Sequence, residues 1–361
     1  MLETMRGWVR FTRLAWAAAY AGLAAVFVIA SSGLGSAGPP GPSASTERLL
    51  VALPSLVPAS DPLAAQDLRF DARFAALALD YIRTGDERVS AELALQPAAD
   101  HILAHARNFD YDVPKDSTKA LVVSLLAPSP GRPQKAATCR KSLAFFIGPM
   151  LDDPHWVGDA LRYLPSGFRF HGSLFLTFGY DVGVAFPPNA SLNGAHTHFE
   201  GHPRELLYYA IHELHHAGFM SYQPPPRLAD LNTCADLLAL VRYSTELEGI
   251  AVLAAWERRR AESALDGDPD YAALQDEARI RKDTADYFRD YDALAVRGGR
   301  PLDAQSWAVI DRMSSGERLW YRVGALMARR VEDALGRPAL VALIEAGPAL
   351  FLETARPLVL R

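Results

Sequence analysis

The sequence predicts an α+β protein that is mostly α-helical. Apolar residues recur at helical spacing in residues 67–165, most clearly in Phe70–Ile82, and helical patterns return in residues 234–264 and 268–356. The β component of this prediction lies in residues 175–193. The chain has 361 residues, of which 50% are hydrophobic and 22% are charged. It is therefore long enough to bury a substantial core.

The N-terminus predicts export. Arg6, Arg10 and Arg13 precede an uncharged stretch at residues 14–34, which is the pattern of a signal peptide or of a membrane anchor. The positive-inside rule places these arginines in the cytoplasm and the remainder of the chain outside it. We therefore expect a periplasmic or extracellular protein, which is either released by cleavage or anchored to the inner membrane by residues 14–34.

Composition suggests how the chain is divided. Residues 1–34 form the export segment, and residues 35–66 are rich in Pro, Gly and Ser, as in a linker. A helical N-terminal region is expected at residues 67–165 and a second domain at residues 166–361. The net charge of −5 provides no basic surface, so nucleic acid is not an expected partner.

One motif carries most of the functional information. His212, Glu213 and His216 form an HExxH pattern. Histidines four residues apart lie about 40° apart around a helix, so both can reach one metal ion, and the glutamate between them can take a proton from water. The pattern predicts Zn²⁺ as cofactor, His212 and His216 as ligands, and Glu213 as the catalytic base.

The flanking residues favour a helix around this motif. Pro203 suits the first turn and Gly218 suits the stop. Apolar residues between them form one stripe, namely Leu207, Ala210, Ile211 and Leu214. His212 and His216 lie on the opposite face and would point into a cleft. His215 points away from the pair, and we expect it to support a ligand or to face solvent.

A catalytic zinc site needs a third protein ligand. The metzincin pattern requires glycine at position 219 and histidine at position 222, and the chain has Phe219 and Tyr222 there, which excludes that class. A carboxylate further along the chain remains. The best candidates lie in residues 244–251, within the helix predicted at 234–264.

Glu246 and Glu248 compete for this role, because residues two apart on a helix point in roughly opposite directions. Glu246 follows Arg242 by four residues, a spacing that favours a surface ion pair. Glu248 lies on an apolar stripe, where a carboxylate is costly unless a metal ion or another partner compensates it. Gly249 beside it permits close backbone approach. We therefore favour Glu248 as the metal ligand. The alternative is that Glu248 is buried and hydrogen-bonded to a neighbour without a metal. The other candidate ligands are Glu246, Asp230 and Asp236.

The combination of HELHH and a later ELEGIA resembles the gluzincin group of zincin metallopeptidases, and most closely a bacterial family of zinc-dependent peptidases. The resemblance covers residues from about 160 to 355. It implies a zincin-like catalytic domain with an active-site helix, and residues 175–193 resemble the strands that edge the zincin cleft. One position departs from the pattern, because Val252 stands where thermolysin-like enzymes have an aspartate.

The resemblance also implies a role for Tyr321. In these families a tyrosine near this position often faces the metal, and a phenol can donate a hydrogen bond to a developing oxyanion. Gly324, three residues later, would let a backbone or a substrate approach that face closely. The alternative is that Tyr321 only packs in the core.

We therefore expect an exported or membrane-anchored zinc-dependent hydrolase, namely a peptidase acting on peptide or protein substrates. Glu213 would take a proton from water and later pass it to the leaving amine. Two alternatives remain. One is a non-catalytic exported binding protein on a zincin scaffold, and the other is a helical scaffold in which the motif is coincidental.

The remaining histidines and cysteines give weaker signals. His101 and His105 share the four-residue spacing but lack a glutamate partner, and we expect them at the surface. The loop before the motif contains three histidines, namely His196, His198 and His202. They are candidates for a further metal site, although loop histidines are usually solvated. An exported protein could join Cys139 to Cys234 in a disulfide, while two buried thiols are about equally expected.

Overall fold

The computed structural model describes residues 47–108 and 111–360. The predicted export segment and the first part of the predicted linker lie outside these residues. In the described part of the chain, no helix is both long and apolar enough to cross a membrane. The described architecture is α+β and mostly α-helical, as predicted.

One sheet of five strands is present in the described residues. The strands are β1 (Leu50–Ala52), β2 (Asp67–Asp71), β3 (His171–Thr177), β4 (Gly183–Phe186) and β5 (Asn189–Asn193). Their order across the sheet is β1-β2-β3-β5-β4. β2, β3 and β5 are parallel, whereas β1 and β4 pair antiparallel with β2 and β5. The two short antiparallel strands therefore form the edges.

Strand β2 corrects the expectation of a helix from residue 67. Leu68 and Phe70 are buried while Asp67 and Arg69 are exposed, which is the period of a strand rather than of a helix. Asp67 pairs in register with His171, so β2 joins the sheet of the C-terminal half. The sheet thus crosses the domain boundary that we placed at residue 165, and that boundary stays a prediction.

Fourteen α-helices surround the sheet in the described residues. They are α1 (Arg73–Thr84), α2 (Glu87–Ala94), α3 (Pro97–Asn108), α4 (Thr118–Leu125), α5 (Arg132–Phe145), α6 (Val157–Leu161), α7 (Glu205–Tyr222), α8 (Cys234–Ala261), α9 (Pro269–Gln275), α10 (Glu277–Arg297), α11 (Ala304–Ser314), α12 (Leu319–Leu335), α13 (Arg337–Ala346) and α14 (Pro348–Val359).

Helices α7 and α8 form the centre of the C-terminal half. α7 packs on β4 and β5 and, on its other side, on α8. α8 is covered in turn by α10, α12 and α14. It begins with a capping box, in which Thr233 and Asp236 each bond the backbone of the other. Because other elements enclose α8 on several sides, it is buried around most of its circumference.

Gly218 does not stop helix α7, which continues to Tyr222. A Cβ atom at this position would lie only 3.0 Å from Leu164 Cδ2 and closer still to Cδ1. The glycine is therefore explained by close packing against Leu164, and the prediction of a helix stop there was wrong. Pro203 lies two residues before the first residue of the helix.

The two cysteines do not form a disulfide. Cys139 and Cys234 are both free and buried. This outcome matches the second of the two expectations, that of buried thiols.

Candidate metal centre

Helix α7 places His212 and His216 side by side, as their spacing predicts. Their ring centroids are 4.3 Å apart. The helix presents both imidazoles towards α8, and only 15% and 7% of their side-chain surfaces are exposed. Two neutral imidazoles held this way can bind one cation, because both Nε2 atoms point to the same place.

Glu248 of helix α8 reaches the same point. Its Oε2 lies 3.1 Å from His212 Nε2 and 3.0 Å from His216 Nε2. One ligand atom from each of the three residues lies within 4.8 Å of the others. Two imidazole nitrogens and one carboxylate oxygen are the donor set of a catalytic zinc site, so these residues fit Zn²⁺.

The pKa values of this group reflect burial and mutual contact. Burial and the neighbouring His216 lower the pKa of His212 to about 4, and the positive charge of Arg318 adds to the effect. Burial opposes ionisation of Glu248, but the two imidazoles outweigh it and lower the pKa of this carboxyl. Burial lowers the pKa of His216, but the Glu248 carboxylate outweighs it and raises that pKa. A neutral imidazole and an ionised carboxylate are the forms that bind a metal ion, so binding would displace a proton from a protonated His216.

Glu246 points elsewhere, and its predicted ion pair with Arg242 is wrong. Its side chain is fully buried, and its carboxylate oxygens have no hydrogen-bond partner among the described residues. Arg242 Nε donates instead to the hydroxyl of Tyr291. The expectation failed because it took one side of α8 to be solvated, whereas neighbouring helices cover it.

The two aspartates that were alternative ligands also lie outside the cluster. Asp230 is exposed next to Arg227, and Asp236 caps helix α8 through Thr233. Neither belongs to a group of potential metal ligands in the described residues.

Glu213 lies in the wall of the same cavity and faces strand β4. A Cβ atom on Gly183 would lie 2.8 Å from the Cγ and Cδ atoms of Glu213, so any larger residue there would displace this carboxylate. Burial raises the pKa of Glu213 to about 8; the neighbouring His216 opposes the shift, and Glu248 and Asp181 add to it. The carboxylate is thus held close to both the edge strand and the metal ligands.

Tyr321 lines the cavity together with the three candidate ligands. The guanidinium carbon of Arg318 lies 3.7 Å from the centre of its ring. The close approach expected at Gly324 is present, but the approaching backbone is that of helix α8. A Cβ atom on Gly324 would lie 3.0 Å from Gly249 Cα. The two glycines therefore allow α8 and α12 to cross closely, one residue from Glu248.

With the geometry established, the chain can be compared with known protein families. A family described as "Putative zinc dependent peptidase (DUF5700)" matches residues 156–354. The chain belongs to this family. No curated protein and no solved structure matches the chain. The matched residues include helices α7, α8 and α12, and therefore all three candidate ligands, Glu213 and Tyr321. The zinc dependence of the family agrees with the donor set described above, while the resemblance to zincins stays a prediction.

The histidines before α7 lie beside this centre without forming part of it. His198 Nε2 is 3.3 Å from Glu205 Oε2, and these two residues form a second group of potential ligands with Asp268. Arg259 already occupies that group, since its Nη1 lies 3.0 Å from Glu205 Oε1 and its Nη2 lies 2.5 Å from Glu205 Oε2. A guanidinium in this position supplies the positive charge that a metal ion would otherwise supply.

Three other histidines are buried, contrary to expectation. His101 and His105 are 5% and 4% exposed, and His215 is fully buried. Strands β3 and β4 and helices α2 and α4 cover helix α3, on which the first two lie. His105 Nδ1 is 3.0 Å from the hydroxyl of Tyr180, and His105 lines the cavity. The prediction that His101 and His105 are surface residues was therefore wrong. For His215, the alternative that it faces solvent was also wrong.

Four residues of the cavity wall have no signal in the sequence. They are Asp181, Asp268, Asp270 and Arg318. They come from the β3–β4 loop, the start of α9 and the start of α12, far apart along the chain. Single charged residues at such places match no spacing rule, so only the tertiary structure brings them together.

Proposed function

We propose that this protein is a peptidase in which His212, His216 and Glu248 hold Zn²⁺. The observation that carries the proposal is the convergence of their three donor atoms within 4.8 Å, beside a buried fourth residue, Glu213. A zinc ion bound there polarises a carbonyl group and makes water a stronger nucleophile at neutral pH. The family description supports a peptide bond as the target.

Glu213 is the proposed general base and proton carrier. Its carboxylate lies in the cavity wall between the metal ligands and strand β4, with its position limited by Gly183. In that position it takes a proton from the attacking water and later passes it to the leaving amine. The raised pKa suits the second half of this task, because the carboxyl can then hold the proton at neutral pH until the amine leaves.

Tyr321 is the proposed donor to the developing oxyanion. It is supported by its place in the cavity wall and by Arg318, whose guanidinium covers its ring. Tyr321→Phe keeps the packing and removes only the hydroxyl. We expect an unchanged melting temperature and normal zinc content, with the hydrolysis rate reduced by about 10²-fold or more. A rate equal to that of wild type would leave Tyr321 as a packing residue.

Metal analysis and three substitutions test the main proposal. The purified protein should contain one zinc ion per chain, and His212→Ala or His216→Ala should abolish zinc binding. Glu213→Gln should retain zinc and lose peptide hydrolysis by several orders of magnitude. Zinc binding with no hydrolysis by wild type would instead favour a non-catalytic binding protein. A protein that purifies without zinc and takes up none would refute the proposal.

We also propose that the peptidase works outside the cytoplasm. The support is the sequence of residues 1–34, in which three arginines precede an uncharged stretch. A phosphatase reporter that is active only after export, fused behind residue 361, should be active. A cytoplasmic location of the fusion would refute export, and N-terminal sequencing of the mature protein would distinguish cleavage from anchoring.

A further inference from the structure

Arg318 has an unusual backbone for a residue of its type. It precedes helix α12 with φ = 54° and ψ = 42°, in the left-handed region. A non-glycine residue in this conformation is strained, and such residues cluster at functional sites. The strained residue lies in the wall of the cavity that also contains the candidate metal ligands.

Arg318 is the inner end of a chain of alternating charges. Its Nε donates to Asp270 at 2.7 Å, and Arg322 Nε donates to the other oxygen of the same carboxylate at 2.9 Å. Arg322 continues to Asp283 at 3.4 Å, which also accepts from Arg279 at 2.9 Å. Three arginines therefore share two aspartates in this series of ion pairs. Burial raises the pKa of Asp181 and Asp268 in the cavity wall, and the charge of Arg318 opposes that rise.

The two ends of this chain differ in their surroundings. Arg279 is 44% exposed at the protein surface, whereas Arg318 is 20% exposed and opens onto the cavity. Water screens a charge at the surface much better than a charge in a partly closed cavity. Compared with Arg279, Arg318 is therefore the less screened charge, and it lies next to the candidate metal centre.

The guanidinium of Arg318 is oriented by its neighbours. One face lies on the ring of Tyr321, and the Nε edge is held by Asp270. Nε is only one of the five N–H donors of an arginine, so the bond to Asp270 does not use the donors on the two Nη atoms. By contrast, Arg259 directs both of its Nη atoms at Glu205 and lies 4.3 Å from the rings of Tyr208 and Tyr271. Arg259 thus directs both Nη atoms at a carboxylate of the protein, whereas Arg318 bonds Asp270 through Nε, so Arg318 is the better candidate for a carboxylate from outside.

We propose that Arg318 binds a carboxylate of the substrate peptide next to the bond that is cut. This inference rests on the proposed peptidase function. The cavity measures about 110 Å³, well below the roughly 300–1,000 Å³ of sites that enclose whole drug-sized ligands. It therefore has room for a small part of a peptide, and Arg318 selects a carboxylate there. The carboxylate is either the free C-terminus or an acidic side chain, and arginine recognises both by the same forked hydrogen bonds.

Four peptides of otherwise identical sequence distinguish the two sources. Two carry a free C-terminus or a C-terminal amide, and two carry Glu or Gln at the residue after the scissile bond. The zinc-loaded wild type should prefer one carboxylate form over its neutral partner by about 10- to 100-fold in kcat/KM, the size of one charge-assisted interaction. Arg318→Gln should abolish this preference, mainly through a higher KM for the preferred carboxylate peptide. Arg318→Lys should restore part of the preference.

Arg279→Gln is the matched control, because it removes a charge from the same chain of residues at the exposed end. It should keep the preference of wild type. Melting temperature and zinc content, measured for all three variants, show whether they fold and retain the metal centre. A wild type that cleaves each carboxylate peptide and its neutral partner equally would overturn the proposal. So would an Arg318→Gln variant that lowers kcat equally for all four peptides.

Peptide binding gives a readout that does not depend on catalysis. Calorimetry on the zinc-free protein should show tighter binding of the preferred carboxylate peptide than of its neutral partner, and Arg318→Gln should remove the difference. If wild type cleaves nothing yet still discriminates in binding, the peptidase function fails and the Arg318 site stands. If it cleaves peptides without discriminating in binding, the Arg318 site fails and the peptidase function stands.

Discussion

The crossing of helices α8 and α12 makes the metal centre sensitive to a single methyl group. Gly249 lies next to Glu248, and a Cβ atom placed on it would be 2.6 Å from Gly324 Cα. Carbon atoms in good contact lie about 3.5–4.0 Å apart. Gly249→Ala therefore requires the two helices to separate by about 1 Å, because a backbone cannot rotate out of the way as a flexible side chain can.

The magnitude follows from two opposing effects. Overpacking a core costs about 1–3 kcal/mol and sometimes more, and here backbone meets backbone, so the upper end applies. The higher helix propensity of alanine returns about 1 kcal/mol. We expect a net loss of about 2 kcal/mol in the free energy of unfolding. Zinc should also bind more weakly, because the residue before Gly249 is the proposed third ligand.

The assay is urea denaturation together with zinc titration. Gly158→Ala in helix α6 is the matched control, because a Cβ atom there meets nothing within 4 Å. That variant should equal wild type or gain up to about 1 kcal/mol in unfolding free energy from propensity alone. If Gly249→Ala gains stability like the control and binds zinc like wild type, the tight crossing does not position Glu248.

Three further predictions follow from the same structure. Gly183→Ala places a methyl group against the Glu213 carboxylate, so this variant should keep zinc but hydrolyse peptides much more slowly. Metal analysis and kinetics on the same preparation check this, and activity equal to that of wild type would contradict it. Glu246→Met removes a buried carboxyl without a partner in the described residues. It should raise the unfolding free energy by about 1–3 kcal/mol and keep zinc, whereas Glu248→Met should lose zinc. The reverse result for zinc would assign the ligand to Glu246. Burial lowers the pKa of His101 from 6.5 to about 4. As pH falls, this histidine therefore takes up a proton in the unfolded chain before it does so in the folded one, and the free energy of unfolding should decrease between about pH 6.5 and pH 4. His101→Phe should remove part of that loss in denaturation curves measured across this range, and an unchanged pH dependence would show that His101 does not contribute.

The local features of the site could be read from the sequence. Four-residue spacing on a helix places two side chains together whatever the rest of the fold does, so His212 and His216 were predictable. Glu248 could be chosen over Glu246 because two residues along a helix reverse the direction of a side chain, and the chosen residue is the one that reaches the histidines.

The environment of these residues could not be read in the same way. Glu246 was expected at the surface and is fully buried, because three helices from later in the chain cover α8. Gly218 was expected to end a helix, yet a leucine 54 residues earlier packs against it. In both cases the deciding neighbour is distant in sequence, and a local pattern contains no information about it.

The same limit explains what the sequence determined about function and what only the fold decided. An HExxH motif and a later glutamate specify the candidate metal ligands, because the direction of each side chain is set within its own helix. The anionic and cationic groups around them, such as Asp181, Asp270 and Arg318, come from separate loops and helix ends. Their effect depends on distance and burial, and these quantities exist only once the helices and the edge strand have packed together.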